Sequence, residues 1–324
     1  MHQPSPIPHG RTARRLEWAH LPPAVRSEIE RRCGARVVSA SSQKGGFTPG
    51  FASVLECEDG SRHFVKAASA KAQRMFAEAY REEARKLAAL PETAPAPRLL
   101  WSLDIADWFV LATQYVDARP PRRPWGLPEL RRCLDMLTDA VPVLTPPPTG
   151  LELPHAATEL AAWPAYWDEV RSAHPDLPHL EEAAALARRY ADVMGGETLV
   201  HTDVRDDNIL LTGDGRALLC DWNWPMVGAA WLDSLFLLIG PRGDGIDVAA
   251  LIAGHPLLSA VPAEHIDIVL ALVTGYFLKS ATDPVPPTSP FIRDAQRWQG
   301  EVCWAWLCER RWGIGDEQRA LGRS

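Results

Sequence analysis

Apolar and polar residues alternate with a two-residue period along much of the first third of the chain. This period, together with the Val, Phe and Trp content, predicts five β-strands: 35–41, 51–58, 61–69, 98–104 and 108–116. Apolar positions recur every three or four residues over 22–33 and 69–90, which predicts a short and a long helix. We therefore expect a small sheet with one main helix.

The pattern changes after residue 116. A Pro- and Arg-rich stretch over 117–128 predicts a linker, and the helical period dominates beyond it up to a Trp-rich last helix at 291–312. The sequence thus predicts an α+β chain with a small β-rich N-lobe (21–116) and a larger, mostly helical C-lobe (129–324). Residues 1–20, rich in Pro and Arg, are predicted to be a disordered tail. A cleft between two lobes is a common ligand site.

The stretch "LVHTDVRDDNILLTGDGRALLCDWN" (199–223) interrupts the helical pattern and carries the candidate chemistry. The segments "NILL" and "ALLCD" around "TGDG" predict a β-hairpin. The two ends of this hairpin should bring the side chains of Asp203, Asn208 and Asp221 together. The oxygen atoms of these side chains are the kind of ligand that suits Mg²⁺. A ligand-free turn rich in Asp and Asn is the plain alternative. A second alternative is a metal hydrolase that uses His201, but such an enzyme should have further His and Asp residues at the sequence spacing of metal ligands.

The long helix of the N-lobe places an acid on its apolar face. Glu83 falls on the stripe that contains Phe76, Tyr80 and Leu87, whereas the other charged residues of this helix fall elsewhere: Glu78, Arg81, Glu82, Arg85 and Lys86. A buried carboxylate needs a partner. Lys66, in the preceding strand, is the expected one.

These motifs resemble the kinase superfamily. "HTDVRDDN" keeps the His-x-Asp-x4-Asn spacing of its catalytic loop, and "DWN" replaces Asp-Phe-Gly as in the aminoglycoside phosphotransferase family. The resemblance extends from about residue 35 to about residue 240. It implies a bilobal protein-kinase-like fold and an ATP-dependent phosphotransferase that acts on a hydroxyl of a small molecule. An aminoglycoside or another antibiotic is one possible acceptor. The alternatives are a kinase for a metabolite, such as a sugar or amino alcohol, and a non-catalytic nucleotide-binding pseudokinase.

The resemblance also implies a role for each residue of the loop. Asp203 would be the catalytic base. Asn208 and Asp221 would hold Mg²⁺. His201 and Asp233 would support the loop structurally, although Asp233 could equally cap a helix.

The nucleotide site implied by the resemblance lies in the N-lobe. Lys66, paired with Glu83, would contact the phosphates of ATP, or of GTP. The turn that contains Gly45, Gly46 and Gly50 would cover the phosphates. The Gln114 carbonyl and the Val116 amide would contact the base. Pro49 departs from the protein-kinase pattern because it has no N–H to offer a phosphate.

Arg205 is a further candidate, because it follows Asp203 by two residues. We hypothesise that it contacts the transferring phosphoryl group and stabilises its charge. A surface salt bridge to Asp206 or Asp207 is the alternative.

Composition adds a hint about the acceptor. The net charge of −7 divides into +5 over residues 1–150 and −12 over residues 151–324. An acidic C-lobe favours a cationic acceptor, although acidic surfaces also serve solubility.

The sequence has no apolar run long enough to span a membrane and no apolar leader, and its six cysteines lack metal-binding spacing. We expect a cytoplasmic protein with no nucleic-acid or membrane partner. The oligomeric state stays open.

Overall fold

A computed structural model describes residues 2–10, 12–43, 45–47 and 49–314. Met1 and Arg11 of the predicted tail, and the last ten residues of the predicted C-lobe, lie outside the described residues. The strands are β1 (Val37–Ser42), β2 (Phe51–Cys57), β3 (Arg62–Ser69), β4 (Leu99–Ile105), β5 (Trp108–Gln114), β6 (Ala118–Arg119), β7 (Thr198–Val200), β8 (Ile209–Thr212), β9 (Ala217–Leu219) and β10 (Met226–Gly228). The helices are α1 (Pro23–Cys33), α2 (Arg74–Ala89), α3 (Leu127–Ala140), α4 (Ala156–Glu159), α5 (Tyr166–Ala173), α6 (Leu180–Ala187), α7 (Ala191–Met194), α8 (Leu232–Leu237), α9 (Ile239–Gly243), α10 (Val248–Gly254), α11 (Ala263–Ser280) and α12 (Ile292–Trp312).

The N-lobe is an antiparallel five-stranded sheet with the order β1-β2-β3-β5-β4. Its central strands β3 and β5 are largely buried, because helix α2 covers one face and α1 with the chain before it covers the other. Lys66 pairs across the sheet with Ala52 and Leu111 in this buried centre. A lysine there is removed from water and requires an acidic partner.

The C-lobe is built around the central helix α11, which is buried along most of its length and packs against α12, α6 and α5. Tryptophans fill much of this core, and those with almost no exposed surface are Trp167, Trp222, Trp304 and Trp306. Two small sheets lie beside the helices, one of β6, β8 and β9 and one of β7 and β10. They hold the loop after β7 and the β8–β9 hairpin, where the candidate chemistry lies.

The family resemblance thus predicts the fold class correctly: the protein has a mixed α/β, kinase-like fold with a β-sheet N-terminal region and a helical C-terminal region. Helix α2 begins at Arg74 instead of residue 69. The reason is a turn in which the Ser69 hydroxyl accepts hydrogen bonds from the amides of Lys71 and Ala72. Part of the predicted linker forms strand β6, paired with β8.

The segment predicted to be a disordered tail packs against both lobes over its described residues, which is a correction. Gln3 accepts a hydrogen bond from the Trp298 indole at 2.7 Å in the C-lobe, and Leu16 bridges to Phe51 in the N-lobe. Ile7 and Ala13 are buried. The segment is therefore anchored by a few apolar side chains, whose contacts lie far away in sequence.

Gly275 in the middle of α11 provides a test of this core. A methyl group at that position would lie 2.7 Å from the Trp167 indole nitrogen, which donates to the Ala271 carbonyl at 3.1 Å. We expect Gly275→Ala to lower the free energy of unfolding by about 1–3 kcal/mol, because overpacking exceeds the gain in helix propensity of about 1 kcal/mol. Chemical denaturation measures this. Gly254→Ala, at the open end of α10, is the control and should be neutral or stabilising. An equal or higher stability of Gly275→Ala would contradict this packing.

Two further observations concern a membrane and a metal ion as partners of the chain. Among the described residues, no helix is both long and apolar enough to cross a membrane. Cys33, Cys57 and His63, which are separated in sequence, bring possible metal-ligating atoms within 4.8 Å of one another in the N-lobe. Three ligands do not complete the tetrahedral set of a structural zinc site.

Candidate active site

The loop after β7 is held by one buried carboxylate. Asp233, in the first turn of α8, accepts hydrogen bonds from the amide of His201 at 2.7 Å and of Thr202 at 2.9 Å. His201 is itself buried, its Nε2 lies 3.0 Å from the Cys220 carbonyl, and burial lowers its pKa. The His201 side chain therefore ties the loop to the end of the β8–β9 hairpin.

Two non-glycine residues of this region have left-handed backbone conformations. Thr202 has φ 65° and Asp221 has φ 66°. Such conformations cost of order 1 kcal/mol each and persist where surrounding contacts impose them. Here the Asp233 carboxylate and the hairpin impose them, so the chain is bent at the two points that present the Asp203 and Asp221 side chains.

Asp203 and Asn208 are in direct contact, as the hairpin geometry requires. The Asn208 Nδ2 donates to the Asp203 carboxylate and to its carbonyl, each at 2.9 Å. This fixes the orientation of the amide and leaves Asn208 Oδ1 as the atom that can ligate a cation. Arg205 Nη2 lies 3.2 Å from the same Asp203 carboxylate.

Lys66 joins the two lobes electrostatically. Its Nζ lies 2.7 and 2.8 Å from the two carboxylate oxygens of Glu83 and 2.9 Å from Asp221 Oδ1. Burial alone would lower the pKa of Lys66, but the Asp221 and Glu83 carboxylates raise it above its usual value. Burial likewise opposes ionisation of Asp221, but Lys66 holds its pKa below the usual value. The sequence prediction paired Lys66 with Glu83, which is only 2% exposed, and the structure adds Asp221 as a second partner.

The glycine turn lies near this ion cluster, because Gly50 contacts the Tyr80 side chain and the Lys66 Nζ lies 5.5 Å from the centre of the Tyr80 ring. Gly46 has φ +72°. A side chain at Gly50 would collide with the Tyr80 hydroxyl at 2.5 Å. The N-terminal segment holds the turn in place through two hydrogen bonds. The Thr12 hydroxyl donates to the Gly46 carbonyl, and the Arg15 guanidinium donates to the Gly45 carbonyl at 2.7 Å. The sequence did not predict this contact, since it treated residues 1–20 as a tail.

The residues predicted to contact the nucleotide base lie where the lobes join. Gln114 is the last residue of β5, and its amide donates to the Arg98 carbonyl at 2.8 Å. Val116 follows in the extended connection to β6 and is half-buried. The contacts with a base stay predictions.

The acids that follow Arg205 have separate partners. Asp206 is buried and forms a bidentate ion pair with Arg123, in which the Arg123 Nη2 lies 2.6 Å from the Asp206 Oδ1. Asp207 lies 3.1 Å from Arg205 Nε. Arg205 is therefore held between Asp203 and Asp207, its guanidinium 5.2 Å from the ring centre of Phe47. Asp207 is thus the salt-bridge partner that the alternative named, although the pair is partly buried, and a contact of Arg205 with a phosphoryl group stays a prediction.

Lys86 corrects a sequence prediction. It was placed on the solvated face of α2, but it is buried, and its Nζ donates to the Asn223 carbonyl at 2.6 Å. Burial lowers its pKa. Asn223 in turn donates to the Asp221 carboxylate. Helix α2 therefore supports the segment after Asp221 from two positions, Glu83 through Lys66 and Lys86 directly.

The donor set fits a divalent cation bound with a phosphate. Asn208 Oδ1 and the Asp221 carboxylate are hard oxygen ligands, and Mg²⁺ is usually held by one or two carboxylates with phosphate and water oxygens completing its shell. Lys66 lies beside them as a fixed positive charge. His201, whose ring nitrogens face Cys220 and Asp203 backbone atoms, is not placed as a ligand.

A cavity of about 560 Å³ opens beside Asp203 and Asp221. Aromatic side chains from both lobes line it: Phe47, Phe76, Trp163, Trp224, Phe236, Tyr276 and Phe277. Trp163 and Tyr276 are stacked, with ring centres 4.0 Å apart and planes 7° apart. Two tryptophans, Trp163 and Trp224, therefore border the cavity. A cavity of this size holds a drug-sized molecule.

Comparison with known proteins identifies the class. The sequence model of the phosphotransferase enzyme family matches residues 52–263, more than half of the chain. The chain belongs to this family, and the protein is a phosphotransferase. No curated protein is similar enough in sequence to count as a relative.

Solved structures share the fold. The aminoglycoside phosphotransferase APH(4)-Ia, solved with ADP and hygromycin B, is 13% identical with a TM-score of 0.62, covering 90% of this chain and 99% of its own. Choline kinase LicA from Streptococcus pneumoniae is 14% identical with a TM-score of 0.58, covering 87% and 98%. The amicoumacin kinase hAmiN is 10% identical with a TM-score of 0.52, covering 86% and 92%.

Proposed function

We propose that the protein transfers the γ-phosphoryl group of ATP to a hydroxyl of a small molecule. The observation that carries this is the convergence of Asp203, Asn208 and Asp221 with the Lys66–Glu83 ion pair at the mouth of a drug-sized cavity. Lys66, Asp221 and Asn208 form the phosphate end of the site, and the cavity takes the acceptor. GTP is an alternative donor. A resistance role and a cytoplasmic location stay predictions from the sequence.

Asp203 has the position of the base. Its carboxylate borders the cavity, and the Asn208 amide and the Arg205 guanidinium orient it. It would align the acceptor hydroxyl and accept its proton as the oxygen attacks. Asn208 and Asp221 would hold Mg²⁺, which when bound neutralises charge on the phosphates. Lys66, kept charged by Asp221 and Glu83, would orient them.

The competing interpretations have less support. A metal hydrolase would need His201 as a ligand, but its ring is engaged with the backbone. A pseudokinase would lack one of the reacting groups, whereas this chain carries a residue for each proposed role: Asp203 as base, Asn208 and Asp221 as metal ligands, and Lys66. Mass spectrometry of a panel of hydroxyl compounds incubated with Mg²⁺ and ATP or GTP tests the proposal. A phosphorylated product, formed together with an equal amount of nucleoside diphosphate, supports the proposal. No product and no nucleotide binding would refute it.

Arg205 gives a prediction specific to this chain. Its guanidinium borders the cavity and contacts Asp203, so it can bridge the base and the phosphoryl group in transit. We expect Arg205→Ala to reduce kcat about 10- to 100-fold while the KM for ATP changes little, because the charge develops only in the transition state.

Steady-state kinetics with a saturating acceptor measure this effect. Arg216→Ala is the control, since it removes an exposed arginine paired with Asp214 at 2.9 Å in the same hairpin. An Arg205→Ala enzyme with unchanged kcat but lower thermal stability would assign Arg205 a purely structural role.

A further inference from the structure

The lining of the cavity carries little negative charge. Among the described residues, the carboxylates of the lining are Glu159, Asp203 and Asp221, and the last two belong to the proposed base and metal site. Arg205 adds a positive charge. Glu159, the exposed last residue of α4, is thus the one acid left for an ammonium group on the acceptor.

The acidic residues of the C-lobe are engaged elsewhere. Many form ion pairs with basic side chains outside the cavity: Asp168 and Glu181 with Arg171, Glu264 with Arg189, Asp267 with Arg310, and Asp283 with Lys279. None of these acids lines the cavity. The net charge of −12, which favoured a cationic acceptor at the level of sequence, is therefore a property of the surface.

What the cavity offers is apolar and aromatic surface. The stacked pair of Trp163 and Tyr276 forms one wall, and Trp224, 65% exposed, borders the opening. Most of the remaining lining is aliphatic, and four uncharged polar side chains, Thr202, Asn223, Gln296 and Gln299, also border the cavity. The aliphatic residues are Leu160, Met194, Val204, Met226, Leu232, Ile239, Val273 and Ile292. Such surface is stabilised by apolar faces and rings of a ligand, and it cannot replace the hydration of several ammonium groups.

We propose, on the basis of the phosphotransferase function above, that the acceptor is a predominantly apolar, ring-bearing alcohol with at most one positive charge. Its apolar body packs against Trp163 and Tyr276, and one hydroxyl reaches Asp203. A polycationic aminoglycoside would place several charges against apolar walls with Glu159 alone to receive them.

Two sets of probes test this: neutral or singly charged hydroxylated macrocycles and polycyclic alcohols, and aminoglycosides with several amino groups. Turnover is measured with ATP and Mg²⁺, and binding is measured from the quenching of tryptophan fluorescence, since Trp163 and Trp224 border the cavity. We expect at least one apolar probe to have a kcat/KM about tenfold or more above every aminoglycoside.

Matched variants separate the two chemistries. With the best acceptor, Trp163→Ala should raise the acceptor KM about tenfold and leave the KM for ATP unchanged, whereas Trp163→Phe keeps most of the affinity. Trp18→Ala, in the N-lobe, controls for loss of an indole. Glu159→Gln should have the same small effect as Glu152→Gln, an exposed acid outside the lining.

The two possible failures have different signatures. Preference for aminoglycosides with a KM that depends on Glu159 and not on Trp163 would overturn the inference and leave the phosphotransferase function intact. Apolar probes that bind, quench the fluorescence and are never phosphorylated would instead count against the proposed function. Absence of both binding and turnover for every apolar probe would overturn the inference.

A second, independent observation concerns Arg15 in the N-terminal segment. Its Nη2 donates to the Gly45 carbonyl at 2.7 Å, which places the guanidinium beneath the glycine turn. Its Nε and Nη1 are buried, and neither has a hydrogen-bond partner among the described residues. The Tyr80 hydroxyl nearby is also buried without a partner there. Buried donors without partners cost about 1–3 kcal/mol or more each, so an anion is the expected complement.

The glycine turn that Arg15 contacts lies close to Lys66. A side chain at Gly50 would collide with the Tyr80 ring, and the Lys66 Nζ lies 5.5 Å from the centre of that ring. Lys66 in turn lies 2.9 Å from Asp221 Oδ1. A phosphate chain between the glycine turn and the Lys66–Asp221 pair would therefore lie beside the Arg15 guanidinium.

We infer that Arg15 is a nucleotide-binding residue that donates to the phosphate chain through Nε and Nη1. This gives the N-terminal segment a function: it carries a positive charge into the phosphate site while Thr12 and Arg15 hold the glycine turn above it. Arginine is suited to this because its planar donors match phosphate oxygens.

Calorimetric titration of the full chain with Mg²⁺ and ATP, ADP or adenosine tests the assignment without relying on turnover. Arg15→Ala should weaken ATP binding about tenfold, ADP binding less, and adenosine binding less than twofold. Arg14→Ala, which removes the exposed neighbouring arginine, should change none of them. Equal weakening of ATP, ADP and adenosine would assign Arg15 only a structural role, and unchanged or tighter ATP binding would overturn the assignment outright.

Discussion

Asp203→Asn should reduce kcat by about a hundredfold to ten-thousandfold, the range over which a positioned base contributes to proton transfer. The substitution keeps the shape of the side chain and its contact with Asn208, but it removes the atom that accepts the proton. The dissociation constant of the Mg²⁺–nucleotide complex should change less than threefold, because Asp203 is not among the proposed phosphate or metal ligands. Steady-state kinetics and calorimetry measure the two effects separately.

Asp214→Asn is the matched control for this experiment. Asp214 lies in the turn of the same hairpin, is exposed and interacts with Thr212 and Arg216. Neither kcat nor nucleotide binding should change in this variant. If Asp203→Asn retained wild-type kcat, the base would have to be another group and the proposed mechanism would be wrong.

Asp221→Asn should weaken Mg²⁺ binding and lower the activity about a hundredfold to a thousandfold, because a bound metal contributes several kcal/mol of charge stabilisation. Asparagine tolerates the left-handed conformation that Asp221 adopts, with φ 66°, so the variant should fold. Lys66 keeps Glu83 as a partner, with both oxygens within 2.8 Å. The variant therefore removes the metal ligand together with the charge that pairs with Lys66 across the lobes, and only the Mg²⁺ dependence separates the two effects.

Titration of Mg²⁺ against nucleotide binding and turnover measures this prediction. The Mg²⁺ concentration at half-saturation should rise at least tenfold in Asp221→Asn, while Asp214→Asn again serves as the control. Unchanged Mg²⁺ dependence would remove Asp221 from the metal site and leave it only as a partner of Lys66.

The central site could be predicted from sequence because its geometry is local or periodic. A hairpin must bring its ends together, which links Asp203 and Asn208 to Asp221. The helical period placed Glu83 on the buried stripe of α2, and its contact with Lys66 at 2.7 Å follows from the need to neutralise a buried acid. Their chemical roles stay predictions until the variants above are measured.

The features that the sequence could not predict depend on contacts between distant segments. Residues 2–20 contain few apolar positions, and nothing in that pattern shows that Arg15 reaches Gly45 or that Gln3 meets Trp298. Lys86 occupies a position that the helical period assigns to the solvent-exposed face of α2, yet the C-lobe covers it. Net charge likewise says nothing about which acids face a cavity: of the acids in the described part of the C-lobe, Glu159, Asp203 and Asp221 line it, and whether the acceptor is cationic stays a prediction.

Transfer of a labelled γ-phosphoryl group tests the central claim most directly. Wild type and Asp203→Asn are each saturated with Mg²⁺ and γ-labelled ATP, mixed with an acceptor found in the panel, and sampled over a single turnover. The account predicts that label appears on the acceptor hydroxyl in the wild type, with one ADP formed per product, and at a rate at least a hundredfold lower in the variant. Equal rates in the two proteins, or label released only as inorganic phosphate, would contradict it.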